Sequence, residues 1–223
     1  MMTLLTDSTG KSATPLVKRL NALNVPILLA NRSGTVPTPF KDVWFYWGDA
    51  STYNLPDGNI DRVYLIPPLA VDIFLPMKAF IDFARRKGVT RFVLMSAARI
   101  KAGGLVMGKV HAYLASLDVE YCVLHPLWFV GETHYFFFFF VLANSRTRSP
   151  TRINWLDFHE DIADIAFKAL TDAAIEHTNP IMVGPEFLSY AQIAQILTEV
   201  LGREIRHRTI SDDEYRDILF GTG

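Results

Sequence analysis

The sequence is poor in cysteine, and neither charge is in large excess. Of the 223 residues only Cys122 is a cysteine, so neither an internal disulfide nor a cysteine-rich metal site can form. A single cysteine is typical of proteins in a reducing compartment, and we expect a cytoplasmic protein. The 22 basic and 23 acidic residues leave a net charge of −1. This balance argues against a nucleic-acid partner, because no overall positive field attracts phosphates.

Long apolar runs are also missing. A membrane span needs about 20 consecutive apolar residues, and the longest apolar run, Tyr135–Ala143, is less than half of that. The N-terminus has no basic segment before an apolar core, so we predict no secretory signal and no membrane partner. The apolar run contains five consecutive phenylalanines, Phe136–Phe140, which we interpret as core or as the wall of a pocket.

What the sequence does contain is a regular alternation of apolar strands and amphipathic helices. Half of the residues are hydrophobic, which excludes an intrinsically disordered chain. Several predicted strands, such as Val63–Ile66 and Phe92–Met95, are apolar throughout. Such strands are typical of parallel sheets covered by helices on both faces. The pattern predicts an α/β fold with a Rossmann-like, doubly wound parallel sheet.

The predicted elements fall into two regions. The predicted strands are Met2–Thr6, Pro26–Ala30, Trp44–Trp47, Arg62–Ile66, Arg91–Met95, Glu120–Leu124, Pro180–Val183 and Ile205–Ile210. The predicted helices are Ser12–Leu23, Pro76–Gly88, Val106–Leu117, Glu160–Ala173, Tyr190–Leu201 and a short one from Asp212. We predict a dinucleotide-binding domain over residues 1–132. Residues 133–223 are predicted to form an irregular segment and a small substrate lobe, interleaved with the first domain.

The turn after the first strand lies where a Rossmann fold binds the pyrophosphate of a dinucleotide. Asp7 opposes this role, because its carboxylate would lie near an anionic ligand. A P-loop is excluded, because that motif needs a glycine where Leu5 stands. Other residues of the turn favour the role by offering flexibility, a cation and a hydroxyl suited to the helix N-cap. We predict cofactor contacts from Thr9, Gly10, Lys11 and Ser12.

Arg32 and Ser33 follow the second strand, about 20 residues after the turn. An acidic residue at this point would bond to the ribose of NAD, whereas an arginine accommodates the 2′-phosphate of NADP. The two residues therefore favour NADP(H) over NAD(H) as the cofactor. The alternative is an ordinary solvated arginine at the end of a strand.

Two longer stretches, Met107–Leu114 and Val119–Phe129, resemble the NmrA-like branch of the atypical short-chain dehydrogenases. Within that branch the chain is most similar to the fungal ergot-alkaloid reductases, the festuclavine and agroclavine dehydrogenases. Further similar stretches are Arg91–Ala97, Asp161–Phe167, Gly184–Tyr190 and Val200–Ile205. The resemblance covers nearly the whole chain and implies a Rossmann-like fold with a small substrate lobe. It also implies cofactor contacts near Pro67, Ser96 and Pro126.

The chain departs from this family at several positions. Family members usually carry two glycines where Asp7 and Ser8 stand, and an arginine where this chain has His125. The region Thr133–Arg152 matches poorly, and family chains continue for some tens of residues beyond the point that corresponds to Gly223. We therefore expect a shortened substrate lobe, and these departures bear on activity more than on fold.

The family comparison also bears on the chemistry. Short-chain dehydrogenases that reduce ketones use a tyrosine and a lysine on the helix after the fifth strand. These roles fall at Gly103 and Met107, neither of which can donate a proton. Reduction of an iminium needs a hydride but no general acid, so catalysis does not depend on them. Aromatic faces suit an indole ring and a cationic nitrogen, and the predicted pocket comprises Ser96, His111, Trp128 and Phe129.

Each of these pocket residues has a structural alternative. Trp128 and Phe129 could pack in the core, and His111 could be a hydrogen-bonded histidine within a helix. The six histidines show no zinc-binding spacing, since His159 lacks a second histidine four residues later. We therefore expect no metal.

Three functions remain open at this point. The first is an NAD(P)H-dependent reductase of an iminium or related C=N or C=C bond. Its substrate would be a small aromatic molecule of a fungal, ergot-type alkaloid pathway. The second is an NmrA-like regulator that binds a dinucleotide without turnover and contacts a protein partner. The third is an inactive, shortened paralogue.

Overall fold

The computed structural model describes residues 2–7, 10, 12–32, 40–56, 60–70, 72–98, 100–126, 153–154, 159–182, 187–208, 210–211 and 213–214. Its strands, in chain order, are β1 (Thr3–Thr6), β2 (Ile27–Asn31), β3 (Lys41–Trp44), β4 (Arg62–Leu65), β5 (Arg91–Met95), β6 (Glu120–Pro126), β7 (Ile153–Asn154), β8 (Ile181–Met182) and β9 (Phe187–Leu188). Its helices are α1 (Ala13–Ala22), α2 (Phe74–Arg86), α3 (Met107–Ala115), α4 (His159–Thr171) and α5 (Tyr190–Leu201).

Seven of the described strands form one sheet in the order β3-β2-β1-β4-β5-β6-β8. Every pair in it is parallel, and β7 pairs with β9 in a separate antiparallel ribbon. The chain runs from β1 towards one edge of the sheet and from β4 towards the other. Because such crossovers are right-handed, α1 lies on one face of the sheet, and α2 and α3 lie on the opposite face. The prediction of a Rossmann-like, doubly wound parallel sheet is confirmed.

The core is built from these apolar strands and the inner faces of the helices. All residues of β1, β2 and β5 are buried. On the face of the sheet that α2 covers, Phe45 lies at the centre of an aromatic cluster. Its ring centre is 4.9 Å from that of Trp47, 5.0 Å from that of Phe80 and 5.5 Å from that of Tyr53. The first two pairs are edge-to-face and the third is stacked, and aromatic pairs in these geometries stabilise a core beyond their buried area.

Two predicted strands differ from the structure. β3 covers Lys41–Trp44 instead of Trp44–Trp47. The Phe45 N–H still donates to the Asn31 carbonyl at the end of β2 (2.9 Å), but the chain then turns, and the rings of Phe45 and Trp47 pack together in the aromatic cluster. The prediction of a strand over Ile205–Ile210 is wrong for the residues of this stretch that the structure describes. The hydroxyl of Thr198 in α5 takes the place of a strand partner. It accepts a hydrogen bond from the Ile205 N–H (2.8 Å) and donates one to the Ile205 carbonyl (3.2 Å).

The helix ends follow the sequence signals more closely. α2 begins two residues before Pro76 and ends before Gly88, which has a φ of +96°. The side chains and backbones of Ser189 and Gln192 form a capping box at the start of α5, and Gly202 ends that helix in the left-handed conformation. Glycine favours this conformation because it has no Cβ. No helix in the described ranges is long and apolar enough to cross a membrane.

The chain divides into two compact units. The first comprises Met1–Leu127 and His159–Met182, and the second comprises Trp128–Phe158 and Val183–Gly223. The first unit contains the parallel sheet and helices α1 to α4, and the second contains β7, β9 and α5. The predicted domain boundary between residues 132 and 133 lies outside the described residues and stays a prediction.

Two arginines of the sheet hold the carboxyl end of α4. Arg91 in β5 is almost completely buried and bonds to the Glu120 carboxylate at 2.6 Å. Its guanidinium also donates to the backbone oxygens of Ala169 (3.2 Å), Asp172 (2.6 Å) and Ala173 (3.2 Å). Arg62 in β4 donates to the Leu170 carbonyl. A cation at this end of a helix pairs with its unpaired carbonyls and with the negative end of its dipole.

Candidate cofactor and substrate site

The carboxyl ends of the parallel strands meet at one edge of the sheet. The two directions of the chain separate between β1 and β4, and ligands of doubly wound sheets bind in the crevice at such a point. The structure brings several predicted site residues to this edge. Gly10 and Ser12 follow β1, Arg32 follows β2, Pro67 follows β4, Ser96 follows β5, and Pro126 ends β6. Thr9, Lys11, Ser33, Trp128, Phe129 and Phe136–Phe140 lie outside the described residues.

Thr6 joins the two strands that flank the crevice. It is fully buried at the end of β1, and its hydroxyl donates to the Tyr64 carbonyl at 3.1 Å. The same hydroxyl accepts a hydrogen bond from the Ile66 N–H at 2.8 Å, just beyond β4. Sequence reasoning missed this residue. The available signal was a threonine at the end of an otherwise apolar strand.

Asp7 follows Thr6 and has a backbone conformation that favours glycine. Its φ is +60°, in the left-handed region, and its N–H donates to the Ala30 carbonyl at 3.0 Å. A Cβ added to Gly10 would lie 3.3 Å from Oδ2 of Asp7. The carboxylate of Asp7 therefore lies next to Gly10, on the side where a Cβ atom of residue 10 would be.

The start of α1 completes this turn. The Gly10 carbonyl accepts hydrogen bonds from both the N–H (3.1 Å) and the hydroxyl (3.2 Å) of Thr14. Ser12 occupies the N-cap position, but its side chain makes no capping hydrogen bond. The prediction of a capping hydroxyl is wrong here, because Ser12 has a helical φ and ψ of −82° and −28°, whereas capping side chains usually extend from a β-like backbone.

The backbone of the turn suits the pyrophosphate of a dinucleotide, but the charge of the Asp7 side chain opposes its binding. A left-handed residue, a glycine and a helix N-terminus give a backbone that can approach an anion closely. The Asp7 carboxylate adds a negative charge to the same turn. Arg32, exposed at the end of β2, supplies a positive charge at the neighbouring strand end.

Beyond β5, a buried polar group lies at the same edge. Ser96 is 5% exposed, and its N–H donates to the Leu124 carbonyl at 2.9 Å. Within the described part of the chain, its Oγ atom has no hydrogen-bond partner. Nδ1 of His125, in β6, lies 3.1 Å from the Ala97 carbonyl oxygen, to which it donates. This bond fixes the backbone next to Ser96.

His111 lies behind these residues on α3. It is buried, and its ring centre is 5.6 Å from that of His125. Burial lowers the pKa of His111 below its usual value, and the neighbouring His125 lowers it further. The imidazole of His111 is therefore neutral at pH 7. In the described residues no group of three or more histidine, cysteine or acidic side chains could hold a metal ion.

The positions of the missing proton donors are also clear. Gly103 lies in the loop before α3 with a φ of +77°, and Met107 is the first residue of that helix. Neither side chain can exchange a proton with a substrate. The two positions to which the family resemblance assigns a tyrosine and a lysine therefore carry no group that exchanges a proton.

The sequence matches curated relatives over nearly its full length, although no family model matches it. It is 38% identical over 237 residues to festuclavine synthase I of Penicillium roqueforti, covering 98% of this chain and 80% of that protein. It is 36% identical over 238 residues to agroclavine dehydrogenase of Claviceps purpurea, covering 100% of this chain and 81% of the relative.

Solved structures share the fold at lower sequence identity. Citrobacter sp. triphenylmethane reductase, in complex with NADP(H), aligns with a TM-score of 0.75 and 17% identity, over 100% of this chain and 84% of that chain. An NADPH-dependent quinone oxidoreductase of Escherichia coli, in complex with NADPH, aligns with a TM-score of 0.79 and 18% identity, over 100% and 83%. Together with the sequence relatives, the fold confirms the resemblance. The chain belongs to the NmrA-like family of atypical short-chain dehydrogenases, a family of NAD(P)-dependent oxidoreductases, alongside the festuclavine synthases and agroclavine dehydrogenases.

Proposed function

We propose that this protein is an NADP(H)-dependent reductase of an iminium or related C=N or C=C bond in a small, aromatic, alkaloid-like substrate. The observation that carries this proposal is the absence of a proton donor at Gly103 and Met107 in a relative of the festuclavine synthases. A ketone needs both a hydride and a proton, whereas an iminium needs only the hydride.

When bound at this edge, a reduced nicotinamide cofactor would supply that hydride; the iminium carbon would accept it, the C=N π electrons would move to nitrogen, and the products would be a neutral amine and the oxidised cofactor. The protein's task is then to orient the reactants and to exclude water. The buried Ser96 hydroxyl lies at the carboxyl end of β5, where it can donate a hydrogen bond. The neutral His111 adds no positive charge that would repel a cationic substrate.

NADP(H) is the proposed cofactor because of Arg32. This residue is exposed at the end of β2, next to the β1 turn, and a guanidinium pairs strongly with a phosphate. We expect micromolar binding of NADPH and weaker binding of NADH. Arg32→Ala should raise the dissociation constant of NADPH about tenfold, the loss of roughly one charge-assisted hydrogen bond, with little effect on NADH.

The test is calorimetric titration with both cofactors, followed by NADPH oxidation assays with the N-methyl-3,4-dihydroisoquinolinium cation. Arg86→Ala is the matched control, because Arg86 is an exposed arginine at the carboxyl end of α2, away from this edge. Cofactor binding together with iminium reduction would support the proposal. Absence of NADPH binding up to millimolar concentration would refute it.

A second candidate is a dinucleotide-binding regulator that acts through a protein partner without turnover. It is favoured by the Asp7 carboxylate in the pyrophosphate turn and by the same absence of proton donors. NADPH binding without oxidation by iminium or activated C=C compounds would favour it over the reductase. If the protein neither binds NADPH nor oxidises it, the remaining interpretation is an inactive paralogue.

A further inference from the structure

The loop between β5 and α3 is compact and held by its own backbone. The Gly103 N–H donates to the Gly108 carbonyl (2.8 Å), the Gly104 N–H to the Lys101 carbonyl (3.0 Å) and the Gly108 N–H to the Leu105 carbonyl (2.9 Å). A Cβ added to Gly108 would come within 2.4 Å of the Lys101 oxygen. The loop therefore packs directly onto the first turn of α3, and only glycine fits at that contact.

Two apolar side chains are exposed on this loop. Leu105 is 80% exposed and Val106 is 37% exposed. Val106 also has a φ of +50°, a strained conformation for a β-branched residue. Such strain persists only where the surrounding structure enforces it, and it occurs preferentially at ligand sites.

The loop's place in the fold indicates which ligand it meets. Leu105 and Val106 lie between Gly103 and Met107, the positions to which the family resemblance assigns the tyrosine and lysine of ketone-reducing short-chain dehydrogenases. β4 pairs with β5, and the segment that follows β4 exposes a further leucine, Leu69. The two neighbouring segments therefore present apolar side chains at the same carboxyl edge of the sheet.

We propose that Leu105 and Val106 form an apolar wall against which the ring system of the substrate lies, and that this wall selects fused aromatic cations over small ones. This inference rests on the proposed function and specifies the substrate class of the same site. A planar ring that covers Leu105 removes apolar surface from water. Because the loop is already ordered, little conformational freedom is lost on binding.

The experiment compares two iminium ions with the intact protein. N-methyl-3,4-dihydroisoquinolinium has a fused aromatic ring, and N-methyl-1-pyrrolinium is a single small ring. For Leu105→Asn we expect kcat/KM for the fused cation to fall about tenfold, and that for the small cation to change less than twofold. The dissociation constant of the fused cation, measured by calorimetry, should rise by a similar factor. The matched control is Leu23→Asn, because Leu23 is 63% exposed but follows α1, near the opposite edge.

A second variant, Val106→Gly, separates strain from contact. Glycine adopts this φ freely, so the melting temperature should rise while kcat/KM for the fused cation falls. If this variant is more stable but distinguishes less between the fused and the small cation, damage to the fold cannot explain the loss of selectivity. If Val106→Gly raises the melting temperature without changing this selectivity, Val106 is not part of the wall.

The outcomes distinguish this inference from the proposed function. If the protein reduces the cations but Leu105→Asn lowers kcat/KM equally for both, or no more than Leu23→Asn does, the proposed apolar wall is refuted. The proposed reductase function is then unaffected. Binding of the fused cation that depends on Leu105, without turnover, supports the wall and refutes the reductase. Absence of binding by both cations refutes both. A change in sedimentation with unchanged ligand affinity would identify the surface as an interface between copies and overturn the inference.

Discussion

Replacing Asp7 should change both folding and cofactor binding, and the two effects can be measured separately. At a φ of +60°, steric contacts of the Cβ atom destabilise the folded state by about 1–2 kcal/mol. Glycine avoids that cost but loses about 0.5–1 kcal/mol more conformational entropy on folding than other residues do. We therefore expect Asp7→Gly to raise the free energy of unfolding by about 0.5–1 kcal/mol, measured by thermal or urea unfolding.

The same substitution removes a carboxylate that lies against Gly10 in the pyrophosphate turn. Two like charges about 8 Å apart repel each other by roughly 2 kcal/mol at an effective dielectric constant of about 20. Salt weakens this repulsion because Asp7 is exposed to solvent. We expect Asp7→Gly to lower the dissociation constant of NADPH about tenfold at low ionic strength, and by less in high salt.

Two control variants separate backbone strain from charge. Asp7→Asn removes the charge but keeps a side chain in the left-handed region, so it should improve NADPH binding without the gain in stability. Asn24 has a similar φ of +55° between α1 and β2, away from the carboxyl edge. Asn24→Gly should therefore raise stability and leave NADPH binding unchanged.

Two results would contradict this reasoning. An unchanged or weaker affinity of Asp7→Gly for NADPH at low salt would mean that the turn is not a pyrophosphate site. A loss of stability in Asp7→Gly, alongside a gain in Asn24→Gly, would mean that the Asp7 side chain stabilises the turn more than its backbone strain destabilises it.

Three further predictions concern the first unit. Arg91→Ala should lower the free energy of unfolding in urea by about 3–5 kcal/mol, because it leaves the buried Ala169 carbonyl of α4 and the partly buried Asp172 and Ala173 carbonyls just beyond it without this donor. The exposed pair of Arg206 with Glu204 should not contribute measurably to stability, and equal effects of Arg91→Ala and Arg206→Ala would contradict the anchoring of α4 by Arg91. Burial lowers the pKa of His111, so at acid pH this histidine binds a proton more readily in the unfolded chain than in the folded protein. The free energy of unfolding should therefore fall as the pH drops below about 6.5. His111→Gln should make the free energy of unfolding depend less on pH in this range. Burial raises the pKa of Cys122 to about 12, so iodoacetamide at pH 8 should label it only after unfolding, as mass spectrometry would show.

The buried strands were the most predictable part of the fold. β5 has the predicted bounds, and α5 runs from Tyr190 to Leu201 as predicted. Both are governed by local rules, an apolar run in one case and a cap with a terminal glycine in the other. β3 was misplaced because it is largely exposed and so carries no apolar pattern.

The site was less predictable, because its geometry depends on residues far apart in the chain. Thr6 bonds to Tyr64 and Ile66 across the crevice, and no local spacing indicates that pairing. The charge and the Cβ of Asp7 identified it as an obstacle from the sequence, but only the structure shows its left-handed backbone. The aromatic contacts predicted for Trp128 and Phe129 stay predictions.

The anchoring of α4 by Arg62 and Arg91 has a consequence for how this family can vary. β6 ends at Pro126 and α4 begins at His159, and both belong to the first unit. The chain therefore leaves the first unit after Leu127 and returns to it at His159, and one folded body holds both points. In general, doubling the length of the chain between two fixed points costs only about 0.6 kcal/mol of closure entropy. Relatives can therefore differ in the length of the chain between these two points while the parallel sheet stays constant.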